Sequence, residues 1–213
     1  MVRSSIRAAL ALLLCLAPPG AQAQERDGRA DLLERAAMSR AKGSERAPVT
    51  VFEIADFQCP YCAEFAADVF PRIDEEFIRT GRVQWVFVNL PLPNHRQAWA
   101  AAEAALCAGA VAGRFWTMHD RLFEAQAAWS SGEGAARLFS RYAREAGVPQ
   151  AEYDRCVAED SVAPLILQDV LGASASEIGA TPTFIVNREQ KVVGLQSFEE
   201  WKELLERAEA RAQ

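Results

Sequence analysis

Cys59-Pro60-Tyr61-Cys62 is the stretch whose residue types and spacing point most directly to chemistry. A strand-like run precedes the pair and a helix-like run follows it. That order places the sulfur of Cys59 at a helix N-terminus, where free N–H groups and the helix dipole favour negative charge. A thiolate, not a thiol, attacks disulfides, so this placement lowers the thiol pKa and activates Cys59. Pro60 suits the first helical turn, where its missing N–H costs nothing. Cys62, one turn deeper, is close enough to form a small disulfide with Cys59 and to resolve a mixed one. The pair can cycle between dithiol and disulfide. Two plainer readings stand beside this one: a structural disulfide, or half of a zinc site.

Zinc would want a second close pair of cysteines or histidines. Cys107 and Cys156 are far apart in the sequence, and His95 and His119 fall in helical contexts, with His119 read as surface or as satisfied core. No metal and no other cofactor is expected. Cys107 and Cys156 lie on separate predicted helices. A structural bridge between them would close a long loop and stabilise the fold; two buried free thiols are the other reading. Neither has a cysteine three residues away, so neither is assigned catalysis.

The compartment supports disulfide chemistry. Arg3 and Arg7 make a basic head, Ala8 to Ala17 an apolar core and Ala21-Gln22-Ala23 a small-x-small exit, which is the pattern of a cleaved secretory signal peptide over 1–23. The apolar run is about half of the roughly 20 residues that a membrane span needs, so no anchor is expected after cleavage. Of five cysteines, Cys15 leaves with the leader, and the remaining even number suits an oxidising compartment. With 24% charged and 50% hydrophobic residues, the chain is neither collagen-like, disordered nor a long coiled coil. A net charge of −6 with dispersed positives argues against nucleic acid as a partner.

The elements that must position the cysteines follow from the pattern. Residues 24–47 read as an N-terminal helix or arm, with helical spacing from Asp31 to Lys42. Val49 to Phe57 is a buried strand. The next helix repeats Phe65, Val69, Ile73 and Phe77 every fourth residue, and Pro71 should kink it. Val83 to Val88 is a second strand, which makes a βαβ unit with parallel pairing. Helices then occupy about 95–110, 114–126, 134–146, 150–158 and 161–178. Trp99, Phe115, Trp116, Met118, Leu122 and Phe123 would be core there, or in part an apolar groove around the cysteines. Thr183 to Val186, a turn at 187–190 and Lys191 to Leu195 form a hairpin. Ser197 with Glu200 has the capping-box spacing for a last helix. The class is α/β, with 48–94 and 179–213 forming one domain and 95–178 an inserted helical domain.

Phe57-Gln58-Cys59-Pro60-Tyr61-Cys62 after a strand, the helical insert, and Gly179-Ala180-Thr181-Pro182-Thr183-Phe184 before a hairpin resemble the DsbA-like branch of the thioredoxin superfamily. The resemblance implies a thioredoxin fold, a central mixed sheet flanked by helices, with a large helical insertion. It implies that Pro182 is cis and stacks against the active-site sulfurs, and that Thr181 offers backbone groups to an extended substrate segment. It also makes Glu53 a buried acid beneath the cysteines, able to accept the proton of Cys62; a solvated strand glutamate is the alternative.

Tyr61 departs from the strongest oxidants of that family, which carry histidine there. The implied activity is an exported thiol–disulfide oxidoreductase, periplasmic or otherwise extracytoplasmic. It would oxidise unfolded or partly folded secreted proteins and be re-oxidised by a membrane redox partner. An isomerase or reductase kept reduced by a membrane electron donor is the alternative direction. A non-catalytic binding protein or chaperone is the alternative of another class.

Overall fold

The structure, a computed structural model, describes residues 19–212. Residues 1–18 of the expected leader lie outside the described residues. Helix α1 (Pro19–Ser39) begins well before the predicted start at Asp31. Its first half lacks apolar periodicity but is rich in Ala, Gln, Glu and Arg, which favour helix by propensity alone. It ends before Lys42, because Ala41–Lys42 is instead a short strand, β1. The arm packs on its own chain: Ala36 is fully buried and Leu32, Leu33 and Ala37 lie against the same core. Gly109 permits that approach, since a Cβ there would fall 2.1 Å from Ser39 Oγ.

Strand β2 (Val49–Ala55) leads into the cysteines, and helix α2 follows over 60–78. The kink expected at Pro71 takes a definite form. The helix is α-helical at Pro60–Glu64 and Phe70–Ile73 but π-helical at Phe65–Val69 and Asp74–Ile78. Pro71 has no N–H for the preceding turn, and ahead of it the Phe70 N–H reaches back to the carbonyl of Phe65. A four-residue repeat also drifts on a helix of about 3.6 residues per turn. The wider π turns absorb that drift, so Phe65, Ile73 and Phe77 all reach the core while Val69 stays half-buried.

Strand β3 (Val83–Asn89) alternates buried and half-buried residues and runs parallel to β2, with Val49 opposite Val83 and Ala55 opposite Asn89. Beyond it lie α3 (Ala98–Ala112), α4 (Phe115–Glu124), α5 (Gln126–Trp129), α6 (Ala135–Glu145), α7 (Gln150–Ala158) and α8 (Ala163–Ala175). Strand β4 (Thr183–Val186) returns antiparallel to β2, and β5 (Gln190–Val193) pairs with it on the outer edge. β5 stops short of Leu195 because Gly194 takes a φ of +80°. Helix α9 (Phe198–Ala212) starts with the expected capping box, Ser197 N–H to Glu200 Oε2 at 2.8 Å and Glu200 N–H back to Ser197 Oγ at 3.3 Å.

The sheet order is β1-β3-β2-β4-β5, a mixed sheet flanked by helices, with the helical insertion between β3 and β4. Two main cores result. Phe65, Phe70, Trp85, Phe184 and Trp201 fill the space between the sheet, α2 and α9. A second core runs from Phe57 and Phe87 into the insertion through Phe115, Met118, Leu122 and Phe123, while Trp99 and Trp116 pack at its margin. His119, expected at the surface or as satisfied core, is buried there. Its Nδ1 lies 2.8 Å from Asp120 Oδ1, while Nε2 has no partner among the described residues. Burial lowers its pKa, and the ring packs edge-on against Phe57, Phe87 and Phe123 and tilted against Trp116.

Candidate active site

β2 is buried along most of its length and delivers the chain to a tight turn at Asp56-Phe57-Gln58. Asp56, itself buried, builds that turn. Its Oδ1 accepts the Gln58 N–H at 2.7 Å, and its backbone carbonyl accepts the Cys59 N–H at 3.0 Å. Asp56 Oδ2 accepts the Leu92 N–H at 2.8 Å and lies 2.7 Å from His95 Nδ1. The sequence places His95 in a helix, but the structure does not: the helix begins only at Ala98. His95 sits in the turn before α3 and supports the floor of the site.

Cys59 is the N-cap of α2, with an extended backbone (φ −71°, ψ 124°), and Pro60 occupies the first turn. Its carbonyl accepts the Ala63 N–H at 3.1 Å, which closes the first turn. Cys59 and Cys62 are both free thiols. The Cys59 thiol is lowered to about 6, chiefly by the Cys62 thiol as a hydrogen-bond partner, against the cost of burial. The N–H groups of Cys62 and Tyr61 add to that lowering, although neither completes a capping hydrogen bond to the sulfur. Burial, then the neighbouring Cys59, pushes the Cys62 thiol up. Tyr61 is 60% exposed beside the pair.

Thr181 and Pro182 close the site from the start of β4, the strand next to β2. The Thr181–Pro182 peptide bond is cis, and Cys59 Sγ donates to the Thr181 carbonyl at 3.4 Å. Thr181 Oγ1 is buried with no partner among the described residues.

Glu53 is 1% exposed on β2, opposite Phe87 on one side and Phe184 on the other. Its Oε2 accepts the Trp85 indole N–H at 2.7 Å, while Oε1 has no partner among the described residues. Burial raises its pKa to about 7, against the opposing bond from Trp85. Its charge in turn contributes to raising Cys62. A carboxyl that is half-protonated near neutrality, with one vacant oxygen, can exchange a proton.

Cys107 and Cys156 are joined in a disulfide that ties α3 to α7, with Cα atoms 5.8 Å apart. Among the described residues no group of three or more His, Cys, Asp or Glu side chains is placed to hold a metal ion. The structure thus brings Cys59, Cys62, Glu53, Pro60, Tyr61, Thr181 and Pro182 to one end of β2 and α2, and places Cys107 and Cys156 apart from them.

Sequence reasoning missed Asp56, His95 and two glutamines. Gln126 Nε2 donates to the carbonyls of Phe57 at 2.8 Å and Cys59 at 3.0 Å. Gln58 Nε2 donates to the Ser130 carbonyl at 2.9 Å, and its Oε1 accepts the Gln97 N–H at 2.7 Å. These contacts bridge residues far apart in the chain, and no local pattern announces them. An aspartate three before the first cysteine was the one visible signal, as a turn-former.

A thioredoxin family model matches residues 35–207. The chain belongs to the thioredoxin family. The Disulfide bond formation protein D of Bacillus subtilis is 29% identical over 166 residues, covering 78% of this chain and 74% of that protein. The crystal structure of oxidised BdbD from Bacillus subtilis superposes with a TM-score of 0.73 at 28% identity, covering 80% of this chain and 92% of that one. This member is therefore DsbA-like. A protein named Na(+)/H(+) antiporter NhaA 3, from Salinispora tropica, is 38% identical over 147 residues, 68% of this chain, but the match spans only 21% of that protein.

Proposed function

We propose that this protein is an exported thiol–disulfide oxidoreductase that forms disulfides in unfolded or partly folded secreted proteins. The observation that carries this reading is the opposed behaviour of two thiols one turn apart. Cys59 is lowered to about 6 beside Thr181 and the cis proline, while Cys62 is raised behind it.

In the oxidised enzyme a substrate thiolate attacks the Sγ of Cys59. A new substrate–Cys59 bond forms, the Cys59–Cys62 bond breaks, and Cys62 leaves and takes up a proton. Glu53, protonated up to about pH 7 and close enough to act on the Cys62 thiol, is the acid that supplies it. A second substrate thiolate then attacks the substrate sulfur of the mixed disulfide. Cys59 leaves as a thiolate, and a low leaving-group pKa speeds that step. Two electrons pass from substrate to enzyme; of the two substrate thiol protons, one is balanced by the proton taken up on Cys62 through Glu53 and the other is released to solvent, because Cys59 remains a thiolate near neutral pH. Thr181 offers its backbone to an extended substrate strand, and a membrane redox partner restores the disulfide.

The opposite direction, isomerase or reductase, draws support from Tyr61, which brings no positive charge to the thiolate where a histidine could. The equilibrium constant of the pair against glutathione, measured with a peptide-oxidation assay, separates the two. A pair more oxidising than thioredoxin that oxidises peptide dithiols supports the oxidase. A strongly reducing pair with fast refolding of scrambled substrate would replace it with the isomerase. Cys62→Ser should trap mixed disulfides and Cys59→Ser almost none; equal trapping by both would remove Cys59 as the nucleophile.

A further inference from the structure

The turn that carries Cys59 is strapped to the helical insertion by side-chain amides. Gln126, the first residue of α5, is half-buried, and its single NH2 group donates to two carbonyls, those of Phe57 and Cys59. A donor shared between carbonyls two residues apart fixes the dihedrals between them. One of these is the ψ of Cys59, which at 124° is the last extended angle before the helix begins. Rotation there decides whether Sγ lies over the N–H groups of Tyr61 and Cys62 or swings away from them. Gln58, whose side chain reaches Ser130 and Gln97, holds the same turn to the insertion from the other direction.

We propose that Gln126 is a positioning residue for the reactive thiol: it acts through the main chain to keep the Cys59 sulfur over the start of α2. The helical insertion thereby tunes the cysteine pair, in addition to any part it has in holding substrate. This inference rests on the reading of Cys59 as the attacking and leaving sulfur.

The ionisable neighbours that bear on Cys59 are Cys62 and, behind it, Glu53; the Asp56–His95 pair lies below the turn. None is altered by changing Gln126.

The test is the pH profile of Cys59 alkylation in the reduced protein for Gln126→Leu, Gln126→Glu and Gln126→Lys, with the glutathione equilibrium and melting temperature measured on each. Leucine lacks the donors and adds no charge, glutamate lacks them and adds a negative charge, and lysine keeps a donor and adds a positive charge. Loss of hydrogen bonds of this kind should lower the acid dissociation constant of Cys59 about 3- to 10-fold in the leucine variant, and at least as far in the glutamate variant. The glutathione equilibrium should move by a similar factor towards the disulfide, and the lysine variant should hold a Cys59 pKa at or below wild type. An unchanged profile in the leucine variant would overturn the inference. So would an equal shift in all three variants, which would reduce Gln126 to a packing residue. Alkylation needs no exchange activity, so a wild-type protein that failed to oxidise dithiols would defeat the proposed function and leave this test readable.

Discussion

Cys59 and Cys62 are chemically the same residue in two environments. Cys59 accepts from the Cys62 thiol and faces the start of a helix, while Cys62 is buried behind it with Glu53 close enough to repel its charge. In the proposed mechanism the asymmetry gives attack and departure to Cys59 and proton uptake to Cys62. Glu53 makes a separate prediction about stability. Folded, it holds its proton up to about pH 7; unfolded, only to about 4.5. Between those values the folded state binds more protons than the unfolded one, so stability falls as pH rises through that window and stays low above it. Glu53→Gln still offers Trp85 an acceptor and should remove its share of the slope, to which the raised Glu103 carboxyl also contributes, stabilising the protein above pH 7 by roughly 1–3 kcal/mol. Chemical denaturation across that pH range checks this, and parallel wild-type and variant curves would show that Glu53 does not titrate there. The same substitution should slow dithiol oxidation, so stability and turnover should move in opposite directions.

Among the elements, the disulfide between α3 and α7 closes a loop of 49 residues within the insertion. Replacing both Cys107 and Cys156 by alanine should lower stability by about 2–4 kcal/mol. The alkylation rate of Cys59 should stay at its wild-type value, because the contacts that hold its turn come from Asp56, Gln126 and Gln58. A matching loss of Cys59 reactivity would mean that the bridge reaches the site. Element type was legible wherever periodicity was strong. β2, β3, β4 and the insertion helices fall close to their sequence-based bounds, since alternation and helical spacing report which face is buried. The start of α1 was hidden because propensity, not periodicity, makes that helix. The π turns of α2 were hidden because a four-residue repeat can be read either as a drifting α-helix or as a locally widened one.

For the molecule as a whole, a thiolate that is stabilised only in the dithiol form makes that form the more stable one. The depressed Cys59 pKa gives a stabilisation that is lost as pH falls through about 6 and grows above it. Calorimetry should therefore find a higher melting temperature for the reduced protein at neutral pH, with the gap narrowing on acidification. A more stable oxidised form would contradict the oxidase direction. The residues proposed for the chemistry could be named from the sequence because they are local: a C-x-x-C motif after a strand, and, through the resemblance, an acid six residues upstream and a Thr-Pro before a hairpin. The residues that hold them could not. Asp56 meets His95, and Gln126 meets Phe57 and Cys59, only after the insertion folds back over the turn.

The bond from Trp85 to Glu53 would give the protein an optical readout of the proposed proton relay. Indole emission responds to charge at the N–H, and this N–H rests on the carboxyl that exchanges the proton. The ultraviolet fluorescence of the unlabelled chain should follow the ionisation of Glu53 near neutral pH, and should lose that response when residue 53 is glutamine. Proton transfer during turnover could then be timed in a stopped-flow cuvette without attaching a dye.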